Sequence, residues 1–295
     1  MAYRFEDDEG LAEGLRRVAG ETLDTAIAGL RTPSIEGVHD ARTGMKRARA
    51  LLRLLRPTLG EAVFAEQCSR LAAIAKTLST TRDAAVLVEI LDELRERSPE
   101  ALGDRAYEEL RERFVAKRDT ATVLETTRAA ALGGLGVTKQ WLLRVPIEVG
   151  DFHALERGLR AVYRKGRVRF ATARRKPEDA RWHALRKRVK DLTYLVALLE
   201  PLWPALMLGL HETLKRIGDR LGEDRDLAML RAALESERSL LPAEREAALA
   251  AVDQRRSELR GKAIPLLLRV FAERPRRFSE RLAAYFAAWK LPATP

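Results

Sequence analysis

Apolar residues recur at three- and four-residue spacing along nearly the whole chain, the period of helices with one buried face. Val38, Ala41, Met45, Ala48, Leu52 and Leu55 form one such stripe; Phe64, Cys68, Leu71, Ala75 and Leu78 form another. Turn signals fall at Thr32-Pro33-Ser34, Ser98-Pro99, Gly133-Gly134-Leu135-Gly136, Pro177, Pro201 to Pro204, Pro242 and Pro275. Ser34 is placed to cap the helix that carries the first stripe. No alternating Val/Ile/Thr segment bounded by hairpin turns interrupts the pattern. The pattern predicts an all-α fold with little or no sheet.

The polar positions carry a second pattern, an internal repeat of 144 residues. Gly14-Leu15-Arg16 and Val18 recur as Gly158-Leu159-Arg160 and Val162. The block VHDARTGMKRARALLRLLRP from Val38 recurs as WHALRKRVKDLTYLVALLEP from Trp182, with His39, Arg42, Lys46 and Pro57 matching His183, Arg186, Lys190 and Pro201. After a one-residue slip, Leu71, Ile74, Leu78, Arg82 and Asp83 match Leu214, Ile217, Leu221, Arg225 and Asp226. Repeated leucines require only a duplicated core, but packing does not demand repeated His, Arg and Lys. The Gly-rich segment near residue 134 is the natural divide, giving halves of about 1–140 and 141–295.

Composition sharpens this picture at two points. With 46% apolar residues among 295, the chain can bury a sizeable core, and general disorder is excluded. No apolar run approaches the roughly 20 residues that span a bilayer. The N-terminal MAYRFEDDEG does not resemble a signal peptide. The single cysteine, Cys68, excludes an intrachain disulfide and Cys-based zinc sites, so a cytoplasmic setting is expected.

Charge is the second point. The formal net charge of +11 is unevenly spread. Arg157 to Lys190 holds fourteen Lys/Arg and only two acids, Glu178 and Asp179, a net +12; His39 to Arg56 holds a net +5. The remainder is mildly acidic. Stacking at i+3 and i+4 places His39, Arg42, Lys46, Arg49 and Arg53 on one ridge, beside Arg47. The matching helix carries His183, Arg186, Lys187 and Lys190, with Asp191 and Thr193 in place of Arg47 and Arg49. The helix before it carries Arg157, Arg160, Arg164 and Arg167 at three-four-three spacing, joined by Lys165, Arg169, Arg174, Arg175 and Lys176. Carboxylates that would neutralise a solvated helix face are missing, so the stripes point to an anion site.

Candidate chemistry follows from these neighbours. Neutral histidines that hydrogen-bond a phosphate, with arginines in bidentate contact, fit the cationic surroundings. A metal site is the alternative, with Asp83 and Asp226 as further ligands; but no second His lies at i+3 or i+4, and adjacent cations oppose a divalent ion. Arg82-Asp83 and Arg225-Asp226 are expected at helix starts, where the Asp complements the dipole and the Arg either pairs locally or reaches the anion. Glu108-Glu109 and Glu223-Asp224 look like solvated helix charges, and Cys68 like core. No Walker loop, dinucleotide fingerprint, HExxH or nucleophile elbow is present, nor an acidic Mg²⁺-binding cluster, so no enzyme activity and no cofactor are expected. Exposed aromatics for stacking bases are nearly absent from the stripes, which argues against single-stranded nucleic acid, and no short Gly turn links helices suited to duplex DNA.

The two His-xx-Arg-xxx-Lys helices, each followed by a Leu-…-Arg-Asp segment, resemble the CHAD family, the conserved-histidine α-helical domain, from about Gly10 to about Phe286. The resemblance implies two antiparallel, four-helix-type bundles related by a pseudo-two-fold axis, with basic helices facing a central groove or pore. It further implies binding of inorganic polyphosphate and association with bacterial polyphosphate granules. Metal chelation by the histidines was an early suggestion for the family. The chain lacks the EXEXK strand of the triphosphate-processing domains often joined to CHAD modules, so a stand-alone module is expected. The matching positions are His39, Arg42, Lys46, Arg47 and Arg49, then His183, Arg186, Lys187 and Lys190, with Tyr163, Arg164 and Arg167 on the preceding helix. Arg53, Arg82, Arg157, Arg160 and Arg225 complete the expected polyphosphate-binding set. Asp191 and Thr193 stand where the family commonly has basic residues, and Ala19-Gly20 replaces the Tyr-Arg pair, which implies a lopsided site.

Overall fold

The computed structural model describes residues 3–32, 34–78, 80–120, 125–147 and 151–291, with the side chains of 35, 80–83 and 120 outside that description. Eleven α-helices and no strand occur among the described residues: α1 (Leu11–Arg31), α2 (Ile35–Leu59), α3 (Glu61–Thr77), α4 (Thr80–Arg97), α5 (Asp104–Thr120), α6 (Glu125–Arg144), α7 (Phe152–Arg175), α8 (Asp179–Leu198), α9 (Pro204–Ser236), α10 (Pro242–Val270) and α11 (Pro275–Trp289). Short 3-10 turns at Pro99–Ala101 and Glu200–Leu202 absorb two of the proline signals. No described helix is long and apolar enough to cross a membrane.

Local chemistry sets several helix ends. Ser34 accepts a hydrogen bond from the Gly37 amide at 2.9 Å and starts α2. Asp151 does the same for the His153 amide and starts α7. Pro204, Pro242 and Pro275 open α9, α10 and α11, at the position where the missing N–H costs nothing.

The Gly133-Gly134-Leu135-Gly136 signal does not make a turn. It lies inside α6, and a Cβ on Gly134 would stand 2.8 Å from Ile74 of α3, so this glycine admits a neighbouring helix. A boundary at residue 140 therefore falls within α6, which continues to Arg144. Arg225-Asp226 also departs from expectation. It sits in the middle of the 33-residue α9, because nothing in the second half breaks the helix where the first half divides into α3 and α4.

Packing joins the two halves. α1 lies against α2 and α6; α7 lies against α8 and α11; α2 reaches across to both α7 and α8. One continuous core contains Leu23, Met45 and Leu52 from the first half and Leu159, Leu192 and Leu214 from the second. A second cluster binds Leu91 and Leu110 to Leu230, Leu234 and Val252 at the far end of α9. The apolar stripe of α2 is buried as its spacing predicts, with Val38 at its margin. The α2–α7 crossing is tight: a Cβ on Gly158 would fall 1.8 Å from the Leu54 carbonyl oxygen. That contact fixes which face of α7 looks at α2.

Candidate anion-binding site

The α2–α7–α8 crossing decides which basic residues meet. Counting about 100° per residue from Gly158, Lys165 and Arg169 lie within roughly 20° of the direction of α2, whereas Arg157, Arg160, Arg164 and Arg167 lie roughly 100° to 180° away. Their contacts agree. Arg160 pairs with Glu156 and donates to the Ser279 hydroxyl of α11 at 3.1 Å. Arg167 donates to the Glu273 carbonyl at 2.9 Å. Arg157 and Arg164 are exposed on that outer face. Tyr163 is buried and donates to the Val270 carbonyl at 2.8 Å, a core role. The expected stripe on α7 thus belongs to the α11 side of the helix, apart from the ridge on α2.

Lys165 and Arg169, which joined that stripe in sequence, instead line a cleft of about 230 Å³ between α7 and α8, together with His183, Lys187 and Arg188. Arg49 and Arg53 approach the same cluster from α2, and Arg225 from α9. The electrostatic consequences are mutual. Burial first, then Arg188, Arg56 and Arg169, lowers the Lys165 pKa. Burial, then Arg49, Arg188, Arg225 and Arg186, lowers that of Lys187. Arg49 and Arg188 are likewise pulled down by burial before any neighbouring charge. These cations are held together against repulsion.

His183 is half-buried in this group. Burial, followed by Lys187, Arg225 and Arg186, lowers its pKa to about 4, and its Nδ1 is buried without a hydrogen-bond partner. It is therefore neutral at physiological pH. His39, by contrast, is exposed near the start of α2.

The remaining predicted residues spread outward. Arg42 donates to the Ala75 carbonyl of α3 at 3.1 Å. Lys46 is half-buried on the α2 ridge. Arg47 stacks over the Tyr3 ring at 5.1 Å, and its carbonyl accepts the Tyr3 hydroxyl. Lys190 reaches within 3.7 Å of Asp219 on α9. Arg186 lines a separate cavity of about 350 Å³ between α4, α8 and α9, whose walls include Glu89, Glu93, Asp219 and Asp226. The Arg82 and Asp83 side chains lie outside the described residues. Cys68 is half-buried rather than deep core.

Two further placements correct the sequence expectation. Asp224 is buried, not solvated: it accepts from Arg256 at 3.2 Å and Arg260 at 2.9 Å, and both arginines also hold Asp179 at the start of α8. Arg260 in turn stacks on Trp182 at 5.2 Å. The network anchors the first turn of α8, and so the residues around His183. Asp191 is the second case. It is buried between Arg53 of α2 and Arg188 of α8, each at 3.0 Å.

Arg188 was missed because the face drawn through His183, Arg186, Lys187 and Lys190 excludes it. The i+3 spacing from Arg188 to Asp191 was the available signal. Among the described residues no group of three His, Cys, Asp or Glu is arranged to hold a metal ion. What the cleft offers chemically is a row of guanidinium and ammonium donors with a neutral imidazole at its edge, suited to phosphate oxygens.

Comparison with known proteins adds the family. No curated protein matches the chain. The family model described as the CHAD domain matches residues 13–235, about three quarters of the sequence, running from α1 to the last turn of α9. The chain belongs to the CHAD domain family.

Proposed function

We propose that this chain binds inorganic polyphosphate without chemical turnover, in the basic cleft where α2, α7, α8 and α9 meet. The observation that carries the proposal is the convergence of Arg49, Arg53, Lys165, Arg169, Lys187, Arg188 and Arg225 from four helices, with one buried carboxylate among them. Gathering like charges is unfavourable in the free protein, and a polyanion relieves it. Polyphosphate is a closely spaced row of charges with no bases to stack, so arginine, lysine and a neutral histidine suffice to hold it.

The cleft is composite. Arg49 and Arg53 come from the first half of the sequence, and the other five cations from the second. Each half contributes a helix trio, α1–α2–α6 and α7–α8–α11, which supports descent from a duplicated bundle with a pseudo-two-fold axis. The site is lopsided, as Asp191 and Thr193 imply, but the weight on α7 rests on Lys165 and Arg169. Such a module would act in the cytoplasm, organising polyphosphate or presenting it to an enzyme.

Competition at fixed ionic strength among long-chain polyphosphate, duplex DNA, RNA and short phosphates tests the proposal. Fixed salt is essential, because any polyanion binding releases counterions and weakens steeply with salt. Preference for polyphosphate is expected; equal affinity for DNA would overturn it.

A further inference from the structure

A buried carboxylate in the middle of an anion site works against the site, and Asp191 is such a group. Position 191 corresponds through the 144-residue repeat to Arg47, so the second half carries an acid where the first carries a base. The residue is 6% exposed. Its Oδ1 lies 3.0 Å from Arg53 of α2 and its Oδ2 lies 3.0 Å from Arg188 of α8. Arg49 and Lys165 stand close enough to act on its charge. Arg188 also lines the cleft with Lys165, Arg169, His183 and Lys187. A guanidinium binds carboxylate and phosphate oxygens through the same donors, so this carboxylate occupies a position that a phosphate group could take.

We infer that Asp191 is a resident counter-anion that phosphate must displace from Arg53 and Arg188, and that only a chain already held by the other cations of the cleft displaces it. This rests on the polyphosphate reading of the cleft. A tethered carboxylate competes at a high effective concentration. A short phosphate that enters from solution has few other contacts with which to overcome it. A long chain already held by Lys187, Lys165 and Arg169 meets Arg53 and Arg188 as a tethered ligand too, and it competes on equal terms. In the absence of ligand the same carboxylate ties α2 to α8, which keeps the two halves of the cleft in register.

The test measures tripolyphosphate and long-chain polyphosphate binding to wild-type protein and to Asp191→Asn at one salt concentration. Removing the competitor relieves the ligand that displaces it, so long-chain affinity rises by about tenfold, the size of one charge interaction in a partly screened site, and tripolyphosphate affinity by less than about threefold. An unchanged ratio between the two ligands, or weaker long-chain binding in the variant, overturns the inference. The variant leaves two guanidiniums without their carboxylate and could fail to fold, so a second measurement uses wild-type protein alone. In arginine-labelled NMR spectra, long-chain polyphosphate shifts the Nε–H resonances of Arg53 and Arg188 while tripolyphosphate leaves them in place. Shifts with both ligands, or with neither, overturn it. Wild-type protein that binds no long-chain polyphosphate would sink the function proposed for the cleft; wild-type binding with an unchanged length ratio sinks only the role of Asp191.

Discussion

His183 shows how a single side chain inherits its chemistry from its surroundings. Burial comes first, then three cations, and together they place its pKa at about 4 against an ordinary 6.5. Because the folded value is the lower one, the unfolded chain takes up the proton first as pH falls. Stability is therefore lost between about pH 6.5 and pH 4, and is retained above that window. Urea unfolding of wild-type and His183→Gln protein at pH 7 and pH 4.5 checks this: wild type loses more stability on acidification, and identical pH dependence refutes the assignment. A bound polyanion reverses the electrostatics and raises the His183 pKa, so binding takes up protons and affinity increases as pH falls. Calorimetry near pH 6 in buffers of different ionisation enthalpy reads that uptake directly, and its absence counts against contact between His183 and the ligand.

At the level of elements, two kinds of contact hold the site in shape. The first is the ion network of Asp179, Asp224, Arg256 and Arg260, which fastens the start of α8 to α9 and α10. Removing one partner leaves a buried charge uncompensated, so Arg256→Ala is expected to cost about 3–5 kcal/mol in chemical unfolding. The exposed Arg276–Glu280 pair supplies the contrast, and Arg276→Ala should leave the unfolding midpoint nearly unchanged. The second contact is the α2–α7 crossing at Gly158. Gly158→Ala drives a methyl group into backbone and should destabilise by about 1–3 kcal/mol or more. Gly136→Ala, also within a helix but with open space around it, should stabilise by about 0.5–1 kcal/mol. Thermal melts of the two variants moving in the same direction would contradict the packing described.

For the molecule as a whole, the question is which of its two basic surfaces binds. Arg49→Ala/Lys187→Ala removes one cation from each half of the cleft, and it should weaken polyphosphate binding by at least about tenfold and flatten the salt dependence. Arg157→Ala/Arg164→Ala removes two exposed charges from the outer face of α7, and should change affinity by less than about threefold. The reverse ranking in titrations at one salt concentration would move the site to the α7–α11 face.

Much of this protein is legible in the order of its residues. Three- and four-residue apolar spacing specifies helices because a helix must hide one face, and Ser34, Pro242 and Pro275 mark helix starts through chemistry that acts within a few positions. The repeat and the concentration of charge in two segments are likewise properties of the string. Spacing along one helix cannot say which of its polar faces meets another helix. Arg157 to Arg167 and Lys165 with Arg169 are equally basic in sequence, yet the glycine contact at Gly158 turns one set toward α11 and the other toward the cleft. In the same way Asp191 reads in sequence only as a missing base and Asp224 only as a solvated charge, until α2, α8 and α10 bring arginines onto them. Local rules determined the elements and where the charge lies along them. Only long-range packing, which fixes the rotation of each helix, decided which charges share a site.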